Sequence, residues 1–224
     1  MSFADTVNKP MDVFGPDWVN HAERLKNEWI QTVSPSDFVV IPGDISWGLS
    51  LDEAKADLQF IDGLPGMKIL LRGNHDFWWS SMKKMRGLYK TVNFIQNDAF
   101  ACEDCVICGT RLWSLPWVQQ ADYTQSESDV IFEREILRLE MSFAEAEKIR
   151  GEKKLIVATH FPPLDKSHKG TRITEIYQNH GVDIAVYGHL HGKHWSDAAE
   201  GEIGGIEYRL VSLDRLNAKP LKLL

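Results

Sequence analysis

No stretch of this 224-residue chain strings together the roughly 18 apolar residues that a bilayer-spanning helix needs. The first residues, Met1-Ser2-Phe3-Ala4-Asp5, have neither the basic nor the apolar segment of a secretory leader. These two absences predict a cytoplasmic protein with no membrane partner. Basic charge is in short supply: 25 Lys and Arg against 32 Asp and Glu leave a formal net charge of -7. Long nucleic acids are therefore disfavoured as partners through overall charge, although a local basic cleft stays open. Cysteine is scarce as well, with Cys102, Cys105 and Cys108 alone. A thiolate metal centre or an iron–sulfur cluster needs a fourth soft ligand, which no other cysteine supplies, and an odd count makes a poor disulfide framework. The segment instead reads as extended chain turning back on itself, with small apolar cysteines packed in a reducing compartment.

What remains is ordinary globular material, 43% apolar and 25% charged, of a length that suits one domain over 1–224. Apolar strand-like runs alternate with helical periodicity, which predicts an α/β fold with a covered sheet. Trp18, Ala22, Leu25 and Trp29 after Pro16 predict a helix over 17–31. Ser50-Leu51-Asp52-Glu53 has the form of a capping box, with Leu51, Ala54, Leu58 and Ile61 as the buried stripe behind it. A longer helix is expected over 127–150, burying Phe132, Ile136, Leu139, Phe143 and Ala146. Strands with polar turns are expected over 91–112, a surface loop over 113–126 and a late strand over 203–213.

Four of the short apolar runs end in residues able to bind metal. Phe38-Val39-Val40-Ile41 leads into Pro42-Gly43-Asp44, and Met67-Lys68-Ile69-Leu70-Leu71 leads into Arg72-Gly73-Asn74-His75-Asp76. Leu155-Ile156-Val157-Ala158 leads into Thr159-His160, and Asp183-Ile184-Ala185-Val186 into Tyr187-Gly188-His189-Leu190-His191. Ligands of open α/β sheets gather beyond the carboxyl ends of the strands, so the four clusters are placed to converge. Carboxylate, amide oxygen and neutral imidazole suit hard or borderline divalent cations. His189 and His191 alternate, and on a regular strand would face one side. Each fragment alone has an ordinary reading, Asn74 as a turn residue and a lone histidine as a structural one. The whole order is much harder to obtain by chance.

With these four motifs, and with His160-Phe161-Pro162-Pro163 among them, the chain resembles the calcineurin-like metallophosphoesterases, in particular small bacterial phosphohydrolases, over nearly its whole length. The resemblance implies a layered β-sheet core flanked by helices. It implies a metal-dependent phosphoesterase that hydrolyses phosphomonoesters or phosphodiesters by attack of a metal-bound hydroxide. Asp44 would bridge two divalent ions (Mn, Fe, Zn or Co), Asn74, His160 and His189 would complete one position, and His191 would serve the other. His75 would lie beside the metals and donate to the phosphoryl group or the leaving oxygen, with Asp76 orienting it and stabilising its protonated form. Physical reasoning agrees with that allocation. Two cations about 3.5–4 Å apart repel, an anionic bridge relieves the repulsion, and a bridging water becomes acidic enough that no protein nucleophile is required.

One part of the pattern is missing. The family site starts with Asp-x-His at the end of a first strand, whereas here Asp5 is followed by Thr6-Val7 and Asp17 by Trp18-Val19. No apolar strand precedes the 17–31 helix either. The first strand is thus expected to be missing or truncated, with a start at an internal methionine favoured over natural loss because every downstream motif is intact. Removing a strand from the centre of a parallel sheet should leave exposed apolar surface and unpaired backbone groups, and should weaken the second metal position.

Substrate is less legible. Trp47, Trp78, Trp79 and Trp195 flank the motifs and read first as packing, second as a stacking wall for a nucleobase or aromatic leaving group. Lys193 and His194 stand near enough in sequence to serve a second phosphate, or simply to be solvated, and Arg72 could pair with an acidic surface residue. A small phosphate ester is the expected substrate. The rivals are a nuclease or cyclic-nucleotide phosphodiesterase, and a catalytically impaired one-metal relative acting as a binding module.

Overall fold

The computed structural model describes all residues except 2, 4–6 and 119–120, so Asp5 and the centre of the expected 113–126 loop lie outside it. Nine strands form two sheets among the described residues. The smaller sheet joins β1 (Phe38–Ile41), β2 (Met67–Leu70) and β3 (Val92–Phe94), all parallel. The larger contains β4 (Ala99–Ala101), β5 (Cys105–Thr110), β6 (Lys154–Thr159), β7 (Ile184–Tyr187), β8 (Gly201–Ile203) and β9 (Ile206–Leu210), in the order β4-β5-β6-β7-β9-β8. Its four inner strands are parallel, and a hairpin closes each edge.

Alternation along the strands sorts the side chains into three cores. Ile69 and Leu71 from the small sheet meet Ile107, Ile156, Ala158, Ile184 and Val186 from the large one, so the sheets pack face to face. The intervening residues face outward. Leu70 joins Trp29 of α1 (His21–Thr32) and Ala54, Leu58 and Ile61 of α2 (Leu51–Asp62). Val106, Leu155, Val157 and Ala185 join the buried face of α4 (Gln125–Arg150), together with Ile173, Ile176 and Tyr177 of α5 (Arg172–Asn179). A short turn of helix, α3 (Met82–Met85), completes the small-sheet side. The result is a helix–sheet–sheet–helix stack, the layered α/β core that was expected. No described helix is long and apolar enough to cross a membrane.

Helix boundaries follow local chemistry. The expected 17–31 helix is split: Pro16–Trp18 forms a single 3-10 turn, Asn20 adopts a left-handed φ of 52°, and α1 begins at His21. Asparagine tolerates that conformation better than most residues, which lets the chain turn between the two pieces. Ser50 caps α2 by accepting from the Glu53 amide, but the Glu53 carboxylate reaches the Leu49 amide and not that of Ser50. Thr124 caps α4 with a complete capping box to Glu127, so the helix begins at Gln125, two residues before the expected boundary, and the predicted stripe from Phe132 to Ala146 is buried. The late strand is a hairpin instead, turning at Gly204-Gly205 with φ of 60° and 81°. Lys68, in the middle of an apolar run, is fully buried because its amine donates to the carbonyls of Leu64 and Gly66 at 2.6 and 2.8 Å, and at 3.3 Å to that of Asp62.

One edge of the small sheet is open. The carbonyls of Asp37 and Ile41 accept from the Met67 and Leu71 amides at 2.8 and 3.0 Å, which points the main-chain groups of Phe38 and Val40 the other way. No described strand stands on that side. A cleft of about 1500 Å³ runs along it, walled by Val39, Val40, Ile107, Ile156, Val186 and Val211, and opens at the end where the metal-ligand motifs lie. Apolar surface and an unpaired strand edge thus lie side by side along β1.

Candidate metal-binding active site

The site begins with two loops that touch. After β1 the chain makes a left-handed turn at Gly43 and Asp44, with φ of 101° and 56°. Opposite, Gly73 approaches so closely that a Cβ there would sit 2.1 Å from Asp44 Oδ1, while a Cβ on Gly43 would sit 2.5 Å from Gly73 N. Only glycine permits this contact. Asp44, a non-glycine residue in strained backbone, is held there from outside.

The restraint comes from Asp76. Its fully buried carboxylate accepts five hydrogen bonds: from the amides of Asp44 (2.8 Å), Ile45 (2.8 Å), Ser46 (3.2 Å) and Gly73 (2.7 Å), and from Trp78 Nε1 (2.9 Å). Burial, and then the neighbouring Asp44 carboxylate, push its pKa up to about 6, against the pull of these donors. Five converging N–H groups argue for the charged form at neutral pH. This differs from the expected role of orienting His75. The carboxylate faces the Gly43–Ser46 turn, and the His75 ring packs instead on Trp47 at 4.5 Å and edge-on to Phe77 at 6.5 Å. His75 does touch the motif through its backbone, donating from its amide to Asp44 Oδ1 at 2.9 Å.

Four expected ligands come together. His160 Nε2 lies 2.6 Å from Asn74 Oδ1, 3.2 Å from His189 Nδ1 and 3.4 Å from Asp44 Oδ2, and Asn74 Oδ1 is 3.1 Å from His189 Nδ1. The other nitrogen of His160, Nδ1, meets the Pro42 carbonyl at 2.9 Å. A carbonyl can only accept, so Nδ1 carries the proton and Nε2 presents a lone pair to the cluster. Burial lowers the pKa of His160, and burial followed by His160 lowers that of His189 to about 3, so both rings are neutral at pH 7. With the Asn74 amide placed oxygen-inward, lone pairs of Asn74, His160 and Asp44 point at one another with at most one proton, on His189, to separate them. A cation between them removes that repulsion, and this is the sense in which the donor set fits a divalent metal. Among the described residues, no group of three or more His, Cys, Asp and Glu side chains is arranged to hold a metal ion by itself.

His191 is placed apart from these four. β7 stops at Tyr187 and His189 takes a left-handed φ of 68°, so the alternation expected of a strand is broken. His189 joins the cluster, while His191 Nδ1 pairs with Asp214 Oδ1 at 2.7 Å and its ring lies edge-on to Trp18 at 5.3 Å. Asp214 also accepts from the Gly192 amide at 2.9 Å. Burial raises the Asp214 pKa, but the His191 imidazole and the Gly192 amide together bring it below the usual range. Asp214 escaped the sequence reading. The one available signal was its place just beyond β9, the same strand-end position occupied by the four recognised clusters.

The aromatic flank shrinks on inspection. Trp78 and Trp79 are buried in the helix-side core of the small sheet, and Trp195 packs against the core of the large one. Trp47 alone borders the cleft beside His75, with Phe14 stacked on it at 6.3 Å and the Lys9 amine 4.9 Å from its ring centre. Lys193 and His194 are exposed, and Arg72 forms no ion pair among the described residues.

Comparison with known proteins places this geometry. The family model for calcineurin-like phosphoesterases matches residues 16–193. Phosphopantetheinyl hydrolase (PptH) from Mycobacterium tuberculosis is structurally similar, with a TM-score of 0.56 at 13% identity over 91% of this chain and 86% of that one. A protein of unknown function from Aquifex aeolicus gives a TM-score of 0.47 at 17% identity, over 90% and 80% of the two chains. No curated protein sequence matches.

Proposed function

The chain belongs to the calcineurin-like phosphoesterases, and we propose that it hydrolyses small phosphate esters with a divalent cation held by Asp44, Asn74, His160 and His189. The observation that carries this reading is the convergence of Asn74 Oδ1, His160 Nε2, His189 Nδ1 and Asp44 Oδ2 within 2.6–3.4 Å in four linked pairs. When bound, a divalent cation supplies charge against the phosphoryl oxygens and acidifies water. The protein's own residues do the rest. Asp76 holds the Asp44 turn, the Pro42 carbonyl fixes the His160 tautomer, and His75 stands at the cleft wall to donate a hydrogen bond to the phosphoryl group or a proton to the leaving oxygen. At 13% identity the PptH likeness speaks for the fold, so we assign no substrate from it.

A second reading concerns metal number. The family pattern offers a second cation Asp44 and His191, and His191 has one nitrogen already engaged by Asp214. We therefore propose that residues 1–224 bind one ion well and a second poorly, and turn over slowly. Metal analysis together with assays on a generic aryl phosphomonoester and diester in added manganese tests both readings. Slow hydrolysis that His75→Ala abolishes without lowering metal content is expected. Two tightly held ions with fast turnover would refute the one-metal reading, and metal-loaded protein inert on every ester would refute the hydrolase reading.

A further inference from the structure

The three cysteines, alike in sequence, are separated by the fold. Cys108 is fully buried on the α4 side of the large sheet, in a different core from the other two. Cys102 and Cys105 close the β4–β5 hairpin: the register Ala99↔Cys108, Phe100↔Ile107, Ala101↔Val106 continues to place them opposite each other across the two-residue turn Glu103-Asp104. The Cys102 amide donates to the Cys105 carbonyl at 2.8 Å, which holds the two residues opposite each other. Opposite residues of an antiparallel pair have Cα atoms about 4.5–5.5 Å apart and side chains on one face, within the span a disulfide bridges. Both thiols are free. Both line the open cleft beside β1 along with Phe38 and Val40.

We propose that Cys102 and Cys105 are a reversible dithiol–disulfide site, oxidised by a low-molecular-weight disulfide that enters from the cleft. The surroundings assign the order of events. The Lys153 amine sits on the turn, donating to the Cys102 carbonyl at 2.5 Å. The neighbouring Cys102 thiol lowers the Cys105 pKa, with Lys153 assisting against burial and Asp104, while Cys105 and burial raise that of Cys102. Cys105 is thus the attacking thiolate. It forms a bond to one sulfur of the small disulfide and expels the other as a thiolate, which takes up the proton Cys105 released. Cys102 then loses its proton, attacks Cys105 Sγ in the mixed disulfide and expels the second small thiol. Two electrons and two protons leave the protein pair, and one small disulfide becomes two thiols. The loop closed is short, so the bond alters the chemistry of the hairpin far more than its stability.

The test is oxidation of the full chain with oxidised glutathione, followed by thiol counting in denaturant and peptide mass mapping. Of the three free thiols, two should disappear, with Cys102 and Cys105 joined in one peptide, and dithiothreitol should restore both. Cys108→Ser should leave that reaction unchanged. Cys102→Ser should stall with glutathione on Cys105. Should that variant fail to fold, the thiol count and map of the unaltered chain still decide. Three thiols surviving oxidation, or glutathione adducts with no internal bond, would overturn the proposal.

Discussion

Asp76→Asn separates a carboxylate that holds the Asp44 turn from one that tunes His75. The side chains are nearly isosteric, so the change is one of hydrogen-bonding capacity. With its oxygen toward Ile45, Ser46 and Trp78, the new amide would turn an N–H₂ group toward the amides of Asp44 and Gly73, replacing two acceptor contacts with donor–donor contacts. Hydrogen bonds to a charged group contribute about 1.5–3 kcal/mol each, and each buried donor left unsatisfied adds a further cost. Removing a buried charge that lies beside Asp44 returns part of this, as the raised pKa of Asp76 shows. A net loss of about 3 kcal/mol is the outcome, which is a large share of the roughly 5–15 kcal/mol that stabilises a typical domain. Urea denaturation followed by tryptophan fluorescence measures it. The loss should be smaller in chelator than in manganese, because without a cation the substitution also relieves repulsion between the two carboxylates. A change below about 0.5 kcal/mol, with only the pH profile of turnover displaced, would refute the reasoning and return Asp76 to the role of a His75 partner.

Other substitutions probe the remaining parts of the site. Gly73→Ala should cost more than about 3 kcal/mol or abolish metal binding in calorimetry, since its Cβ would overlap Asp44, whereas Gly87→Ala has open space and should lose only about 1–2 kcal/mol for its left-handed backbone. Asp214→Ala should weaken the looser of two manganese sites about 10–100-fold and leave the tighter one unchanged, as read by manganese titration. Leu139→Ala, in the fully buried stripe of α4, should destabilise by about 2–5 kcal/mol in the same urea assay while leaving metal affinity intact.

Much of this molecule is written in local pattern. The apolar runs ending at Ile41, Leu71, Ala158 and Val186, alternating with helical periodicity, read as strands of a covered α/β sheet, because a strand buried on both faces is apolar throughout. The residues just past those ends were legible as ligands for the same reason, since strand ends are where side chains leave the core. The apolar stripes of α2 and α4 followed from helical period, and Thr124 was missed only because its capping box stands ahead of the first apolar residue.

Other features depend on residues far apart in the chain, and no local period reports them. Asp214 lies 23 residues from the His191 it holds, and the Pro42 carbonyl is 118 residues from the His160 ring it orients. The resemblance assigns Asp76 to His75, whereas the donors its carboxylate satisfies include amides that the Gly43–Gly73 contact brings across from another loop. Alternation suggested that His189 and His191 act together, until one left-handed residue sent them to different places. Residue types and strand ends therefore specify which chemistry is on offer. Which side chains share a hydrogen bond is settled when the sheets pack, because hydrogen bonds act over about 3 Å while sequence distance places no limit on which loops meet.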